Sequence, residues 1–328
     1  MDQQQRLAAL RRPPARPLLE RVVEEIAPGA TLGAVRRLKG GIGTRMFAIA
    51  TRSPGGVTDR YVVRSYLDLW HDDHAARAER ERRTLDAVAE AGLPVPVPVW
   101  ADTDARVFDA PTIVTTFLRG RTVLRPPDVH AWLHRLAGAL VMVQEVDATQ
   151  PRFAFLPRRD DTRLADHLDQ PPGEHGYEVE SHPDGARVWA VLREHIGSLQ
   201  PVPLVLQHGD FWAGNTMWHR GRLSGIVDWP NAGVGPSATE VAYCRMDLSL
   251  LFGRWAGDEF LAAYEATIGA PVPDLAFRDL LASLSAMPDP GEWEPGYTDL
   301  GVTDLSPQLV RTRLRRWIAA GLDRIRRA

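Results

Sequence analysis

Apolar and polar residues alternate along the first third of the chain in short runs broken by glycine and proline, which is the period of strands. Such runs cover 31–38, 46–51 and 60–66. Gly40-Gly41-Ile42-Gly43 joins the first two, and Ser53-Pro54-Gly55-Gly56 joins the second pair as a hairpin signal. Ahead of them, 18–26 reads as a short helix stopped by Pro28-Gly29, and 1–17, rich in Gln, Arg and Pro, reads as a loose leader. Strong helix formers then fill 71–91, with Gly92 as the stop. Val95-Pro-Val-Pro-Val-Trp100 is extended, because proline disfavours helix at itself and at the preceding residue. The β-branched run 112–118 adds another strand. An antiparallel sheet of about five strands with one helix is therefore expected up to Leu118.

Beyond Leu118 the apolar period lengthens to that of helices. Helical patterns cover 128–146, 186–199, 237–252, 258–268, 275–286 and 308–326. The stretch 150–185 is polar and proline-punctuated, with a short helix at 162–168. A compact β segment, 204–206, 216–218 and 223–227, interrupts the helices, and 289–304 reads as a loop of acids and aromatics. A β-rich part (1–118) followed by an α-rich part (119–328) is an α+β, two-lobe order and not alternating βαβ. The chain's 328 residues suit two such lobes.

Composition narrows the chemistry. Hydrophobic residues make up 44% and charged ones 25%, which supplies a sizeable core. Basic residues number 39 against 42 acidic, net −3, so no strong field points to nucleic acid or an anionic membrane. Uninterrupted apolar runs, such as 139–143, are far short of a membrane span. An N-terminus without an apolar stretch and the single Cys244 lead to the expectation of a cytoplasmic protein. Only one basic residue, Lys39, is a lysine, and it sits in the glycine-rich turn, a poor place for a Schiff-base amine. P-loop, H-E-x-x-H, C-x-x-C, S-x-x-K and G-x-S-x-G strings are all absent.

One stretch carries chemistry: Val205-Leu-Gln-His-Gly-Asp-Phe-Trp-Ala-Gly-Asn-Thr-Met-Trp218, followed by Gly225-Ile-Val-Asp-Trp-Pro230. Asp210 and Asp228 each follow an apolar strand, and loops at strand ends present functional groups on a rigid frame. Asn215 stands five residues after Asp210, and Asp228 thirteen after Asn215. An acidic base with an Asn/Asp pair of hard oxygen ligands is what Mg²⁺-nucleotide phosphoryl transfer requires. The Asp-x₄-Asn spacing matches the catalytic loop of protein kinases, with a later Asp as second metal ligand.

The string His-Gly-Asp-x-x-x-x-Asn with Ile-Val-Asp-Trp resembles the aminoglycoside/choline-kinase-like phosphotransferases, small-molecule relatives of protein kinases, over about 32–250. The resemblance implies a bilobal protein-kinase-like fold, with 1–118 as nucleotide-binding lobe and 119–328 as catalytic and acceptor-binding lobe. It implies Asp210 as the base acting on an acceptor hydroxyl, and Asn215 and Asp228 as Mg²⁺ ligands. Gly40, Gly41, Gly43 and Thr44 are similar to the phosphate-covering loop. Arg64 takes the place of the strand lysine on the α/β-phosphates, with Glu81 as its helix partner and Glu79 as second choice. Thr115, Thr116, Phe117 and Leu118 match the hinge beside the nucleotide base. Arg64 in place of lysine, Glu240 where relatives carry Asp, and the extra Gly43 depart from the pattern.

The expected activity is transfer of the γ-phosphoryl of ATP or GTP to a hydroxyl of a small molecule, an antibiotic such as an aminoglycoside or macrolide, or a metabolite. The rival is a nucleotide-binding pseudokinase acting as sensor or scaffold, which Arg64 and Glu240 support. Neither nucleic acid nor membrane is expected as partner, and the oligomeric state is open. The pairs His71/His74 and His130/His134 read as surface histidines, His208 as scaffold of the catalytic loop and Cys244 as a small buried hydrophobe. Trp212 and Trp229 either wall an acceptor pocket or pack the loop. The acids of 289–304 read first as a solvated loop, second as a contact for a cationic acceptor, and the arginines of 311–327 as a solvated face.

Overall fold

Five strands join in one antiparallel sheet of order β1-β2-β3-β5-β4: β1 (Thr31–Arg37), β2 (Thr44–Arg52), β3 (Thr58–Tyr66), β4 (Pro98–Asp102) and β5 (Thr112–Thr116). The computed structural model describes residues 10–38, 44–67, 73–172, 179–287 and 289–327, in two compact units. The sheet belongs to the first unit, Met1–Gly120 with Ser224–Asn231. The sequence division falls after Leu118 and leaves 224–231 with the second lobe, whereas these compact units divide after Gly120 and take 224–231 into the first.

Helix α1 (Arg16–Ile26) buries Leu19, Val22 and Val23 against Leu32, Ile49, Val63, Phe108 and Val114. It starts two residues earlier than the pattern suggests, because Pro17 sits in the first turn, where its missing N–H costs nothing. Leu10 is helical and buried, so the end of the expected loose leader is folded. Helix α2 (His74–Glu90) turns Ala78, Glu81, Thr84, Leu85 and Val88 inward, leaving Arg83 exposed and Arg77, Arg80 and Arg82 half-buried. Proline in β4 is tolerated because β4 lies at a sheet edge.

The second unit, Arg121–Leu223 with Ala232–Ala328, is mostly helical. It contains α3 (Val129–Gln144), α4 (Asp161–Leu168), α5 (Gly185–His195), α6 (Ser237–Leu251), α7 (Arg254–Ile268), α8 (Leu275–Leu284), α9 (Glu294–Asp299) and α10 (Pro307–Ile325). Asp128 caps α3 by accepting from Ala131 N–H at 2.9 Å, and Ser306 caps α10. Helix α7 packs on α3 and α6, and α10 packs on α8. Beside the helices, β6 (Leu204–Gln207) pairs antiparallel with β9 (Gly233–Pro236), and β7 (Thr216–His219) with β8 (Arg222–Ile226) forms a hairpin. Among the described residues, no helix is long and apolar enough to cross a membrane.

The segment 289–304 is folded into helical turns and is no loop, while Glu292, Asp299 and Asp304 stay exposed as expected. It holds a 3₁₀ turn (Pro290–Trp293) and α9, Asp289 pairs with Arg311 at 2.6 Å, and Asp304 pairs with Arg125 at 2.7 Å. The arginines of α10 are likewise no uniform solvated face, since Arg313 donates to Leu250 O at 2.7 Å and Arg324 pairs with buried Asp279 at 2.5 Å. Charge runs on a last helix read as solvated by default. Here they meet carboxylates and carbonyls that no local pattern reveals.

Candidate active site

Arg64 lies on β3, flanked on both sides by strands, opposite Met46 of β2 and Ile113 of β5. Its guanidinium forks: Nη1 donates to Glu81 Oε1 at 2.7 Å and Nη2 to Asp228 Oδ1 at 2.6 Å. Glu81, on the buried face of α2, also accepts from the Tyr66 hydroxyl and, at 3.3 Å, from the Trp229 backbone N–H. Burial works to lower the Arg64 pKa, but the carboxylates of Asp228 and Glu81 outweigh it and hold the guanidinium above its ordinary value. Burial pushes Glu81 up, opposed by Arg64. Glu79 pairs with Arg82 at 2.7 Å. Asp228 stands at φ 73°, a left-handed conformation that costs a non-glycine residue energy and collects at functional positions.

Thr115 and Thr116 end β5, where Thr116 N–H donates to Val97 O at 2.9 Å. Phe117 N–H donates to Arg60 O at 3.2 Å, and the Arg60 guanidinium lies over its ring at 4.9 Å. Leu118 packs on Gly225, where a Cβ would meet Leu118 Cδ1 at 2.3 Å. Thr44 opens β2 opposite Tyr66. Gly40, Gly41 and Gly43 lie outside the described residues, as does His71.

In the second unit, β6 delivers the chain to His208, Gly209 and Asp210. Gly209 turns at φ 83°, a left-handed conformation. Glu240, in the first turn of α6, accepts from His208 N–H at 3.0 Å and from Gly209 N–H at 2.7 Å. Burial raises the Glu240 pKa to about 7, and these two amides oppose it. The His208 ring is buried, stands edge-on to Phe211 and accepts from Asp210 N–H at 3.3 Å through Nδ1. Both oxygens of Asp210 are held. Oδ1 accepts from the Tyr243 hydroxyl at 2.8 Å, and Oδ2 accepts from Asn215 Nδ2 at 3.1 Å. Asn215 Nδ2 also donates to Asp210 O at 2.8 Å. Its two bonds thus leave from nitrogen, and the carbonyl oxygen, the atom a hard cation takes, enters neither.

Trp212 stacks edge-on to Tyr297 at 5.8 Å and covers Gly214, where a Cβ would meet its ring at 2.0 Å. Trp229 is fully buried and donates Nε1 to Ile226 O at 3.1 Å, so it packs the loop beside Asp228 and walls no pocket. Tyr297 donates to Asp247 Oδ1 at 2.5 Å, and burial raises the Asp247 pKa to about 7. Tyr243 and the Asp247–Tyr297 pair escape sequence reasoning. Their one signal is α6 itself, where Glu240, Tyr243 and Asp247 recur at helical spacing. His130 and His134 are exposed on α3, with His130 Nδ1 at 2.6 Å from Glu259. Among the described residues, no three His, Cys, Asp or Glu side chains are gathered as a metal site.

With its five-stranded antiparallel sheet and its mostly helical second unit, the chain is of the kinase-like O-phosphotransferase class. The family model of the phosphotransferase enzyme family matches residues 34–281, and the chain belongs to that family. The aminoglycoside phosphotransferase APH(4)-Ia is similar in fold, with a TM-score of 0.63 at 17% identity over 94% of this chain and 99% of that one. A thermostable mutant of the same enzyme, in ternary complex with AMP-PNP and hygromycin B, gives 0.62 at 18% identity over 92% and 98%. Macrolide 2'-phosphotransferase MphH from Brachybacterium faecium gives 0.58 at 19% identity over 93% and 95%. No curated protein matches the sequence.

Proposed function

We propose that this enzyme moves the γ-phosphoryl group of ATP or GTP to a hydroxyl of a small molecule, of antibiotic or metabolite type. The observation that carries the reading is the Asp210 carboxylate, fixed at both oxygens by Tyr243 and Asn215 on a loop anchored by Glu240. Asp210 orients the acceptor hydroxyl and takes its proton as the new P–O bond forms. The bond to the β,γ-bridging oxygen breaks, and the nucleoside diphosphate leaves with that oxygen. Positioning and charge neutralisation supply most of the rate in such transfers.

Asn215 and Asp228 offer the amide and carboxylate oxygens that suit Mg²⁺, which when bound neutralises charge on the phosphates. Arg64, tied to Glu81 and Asp228, orients that carboxylate and presents a fixed cation to the α/β-phosphates. The family resemblance assigns Gly40, Gly41, Gly43 and Thr44 to the phosphates and 115–118 to the base. The complex of a relative with AMP-PNP and hygromycin B supports a nucleotide donor and a small acceptor.

The test is mass analysis of a panel of aminoglycosides, macrolides and amino alcohols after incubation with ATP or GTP. One acceptor should gain a single phosphoryl group, and Asp210→Asn should slow this about 10²–10⁴-fold with nucleotide binding kept. Full turnover in Asp210→Asn removes Asp210 as the base, and a nucleotidyl mass gain overturns the reaction type.

A further inference from the structure

Helix α10 turns Arg313, Arg316, Trp317, Ala320 and Arg324 to one side, at spacings of three and four residues. They line a cavity of about 410 Å³, together with Arg245 and Ser249 of α6 and Gly253 and Arg254 at the start of α7. All of these residues belong to the second unit. Five guanidinium groups line this space and two carboxylates answer them. Asp258 binds Arg245 and, at 3.3 Å, Arg254; Asp279 binds Arg245 and, at 2.5 Å, Arg324. Among the described residues neither Arg313 nor Arg316 has an ion-pair partner, so the lining carries a net charge of +3.

Three further features fit an anion. Arg245 is only 2% exposed, its guanidinium lies over Trp317 at 4.9 Å, and its buried Nε lacks a partner among the described residues. Helix α7 runs for 15 residues and opens at Gly253, φ 109°, where no side chain accepts from the first-turn amides. Such an end offers N–H groups and the positive pole of the helix to an anion. Burial, Arg125 and Arg316 also depress Arg313, and Asp304 opposes them only in part.

We propose that this cavity binds a small phosphate-bearing anion of at least two negative charges, at a site apart from the Asp210 loop. Guanidinium forks and free helix amides match tetrahedral phosphate oxygens. The volume falls in the range of small-molecule pockets, and a buried Arg245 and Trp317 at its wall suit a compact ligand and not a duplex or a membrane. Tyr243 and Ser249 stand about 9 Å apart along α6 at 1.5 Å per residue, so the occupied cavity and the Asp210 loop share one helix. The inference stands independently of the proposed reaction.

Calorimetric titration with pyrophosphate tests it, in Arg64→Met protein so that the other phosphate site does not contribute. Binding is expected in this background, and weaker by about tenfold or more with Arg313→Ala or with Arg316→Glu added. Arg316 is exposed, so its replacement keeps the test valid if the Arg313 variant fails to fold. Absence of binding, equal affinity with Arg316→Glu, or RNA binding that pyrophosphate does not displace would each overturn the proposal.

Discussion

Tyr243 and Asn215 each hold one oxygen of Asp210, so the carboxylate has little freedom to rotate. A hydrogen bond to a charged group contributes about 1.5–3 kcal/mol net. Tyr243→Phe removes one such bond with little change of shape, and it should lower kcat about tenfold with the nucleotide KM nearly unchanged. Steady-state kinetics check this, and a change confined to nucleotide KM would show that Tyr243 does not act through Asp210. Asp247 makes a different demand. Burial raises its pKa to about 7 from an ordinary 3.8, so the folded state disfavours its charged form. The sign follows from proton linkage: below pH 3.8 the cost is absent, it grows from there to pH 7, and above 7 it is complete, on the order of 4 kcal/mol. Asp247→Asn removes the titration, so its gain in Tm over wild type should be larger at pH 8.5 than at pH 5. Equal differences at both values would show that Asp247 bears no such cost.

At the scale of elements, α6 and α7 approach closely where a glycine allows it. A Cβ at Gly257 would meet Arg245 O at 2.6 Å and Ser249 Oγ at 2.4 Å. Gly257→Ala should therefore force the helices apart and lower stability by about 1–3 kcal/mol, although alanine favours helix by about 1 kcal/mol. Urea unfolding measures it, and a stabilised variant would contradict the close approach. The strands β1–β5 and the extent of α10 were legible because alternation and helical period are local signals. Strand β9 was not. Its Gly-Val-Gly-Pro lacks β-branched alternation, since a Cβ at Gly235 would meet the Gln207 side-chain amide at 2.7 Å. Asp210, Asn215 and Asp228 stood out through their spacing near strand ends. Tyr243 did not, because its contact with Asp210 spans 33 residues and joins a loop to a helix. The Arg64–Asp228 pair spans 164, and only family resemblance links such distant positions.

For the whole molecule, the α+β kinase-like fold is kept at 17–19% identity to aminoglycoside and macrolide phosphotransferases. Fold alone leaves the chemistry open, because sites and not folds carry function. The first unit contributes Arg64, Glu81 and Asp228, and the second contributes Asp210 and Asn215. The proposed reaction begins with binding of the nucleotide. A ligand of the native state raises Tm by mass action, by about 2.7 kcal/mol of added stability at a hundred times its Kd. The most direct measurement is therefore a thermal-shift titration with ATP and with GTP, each with and without Mg²⁺, on wild type and Asp228→Ala. A Mg²⁺-dependent rise with at least one nucleotide, lost in Asp228→Ala, is the result predicted. No rise in wild type with either nucleotide, or an equal rise in both proteins, would contradict it.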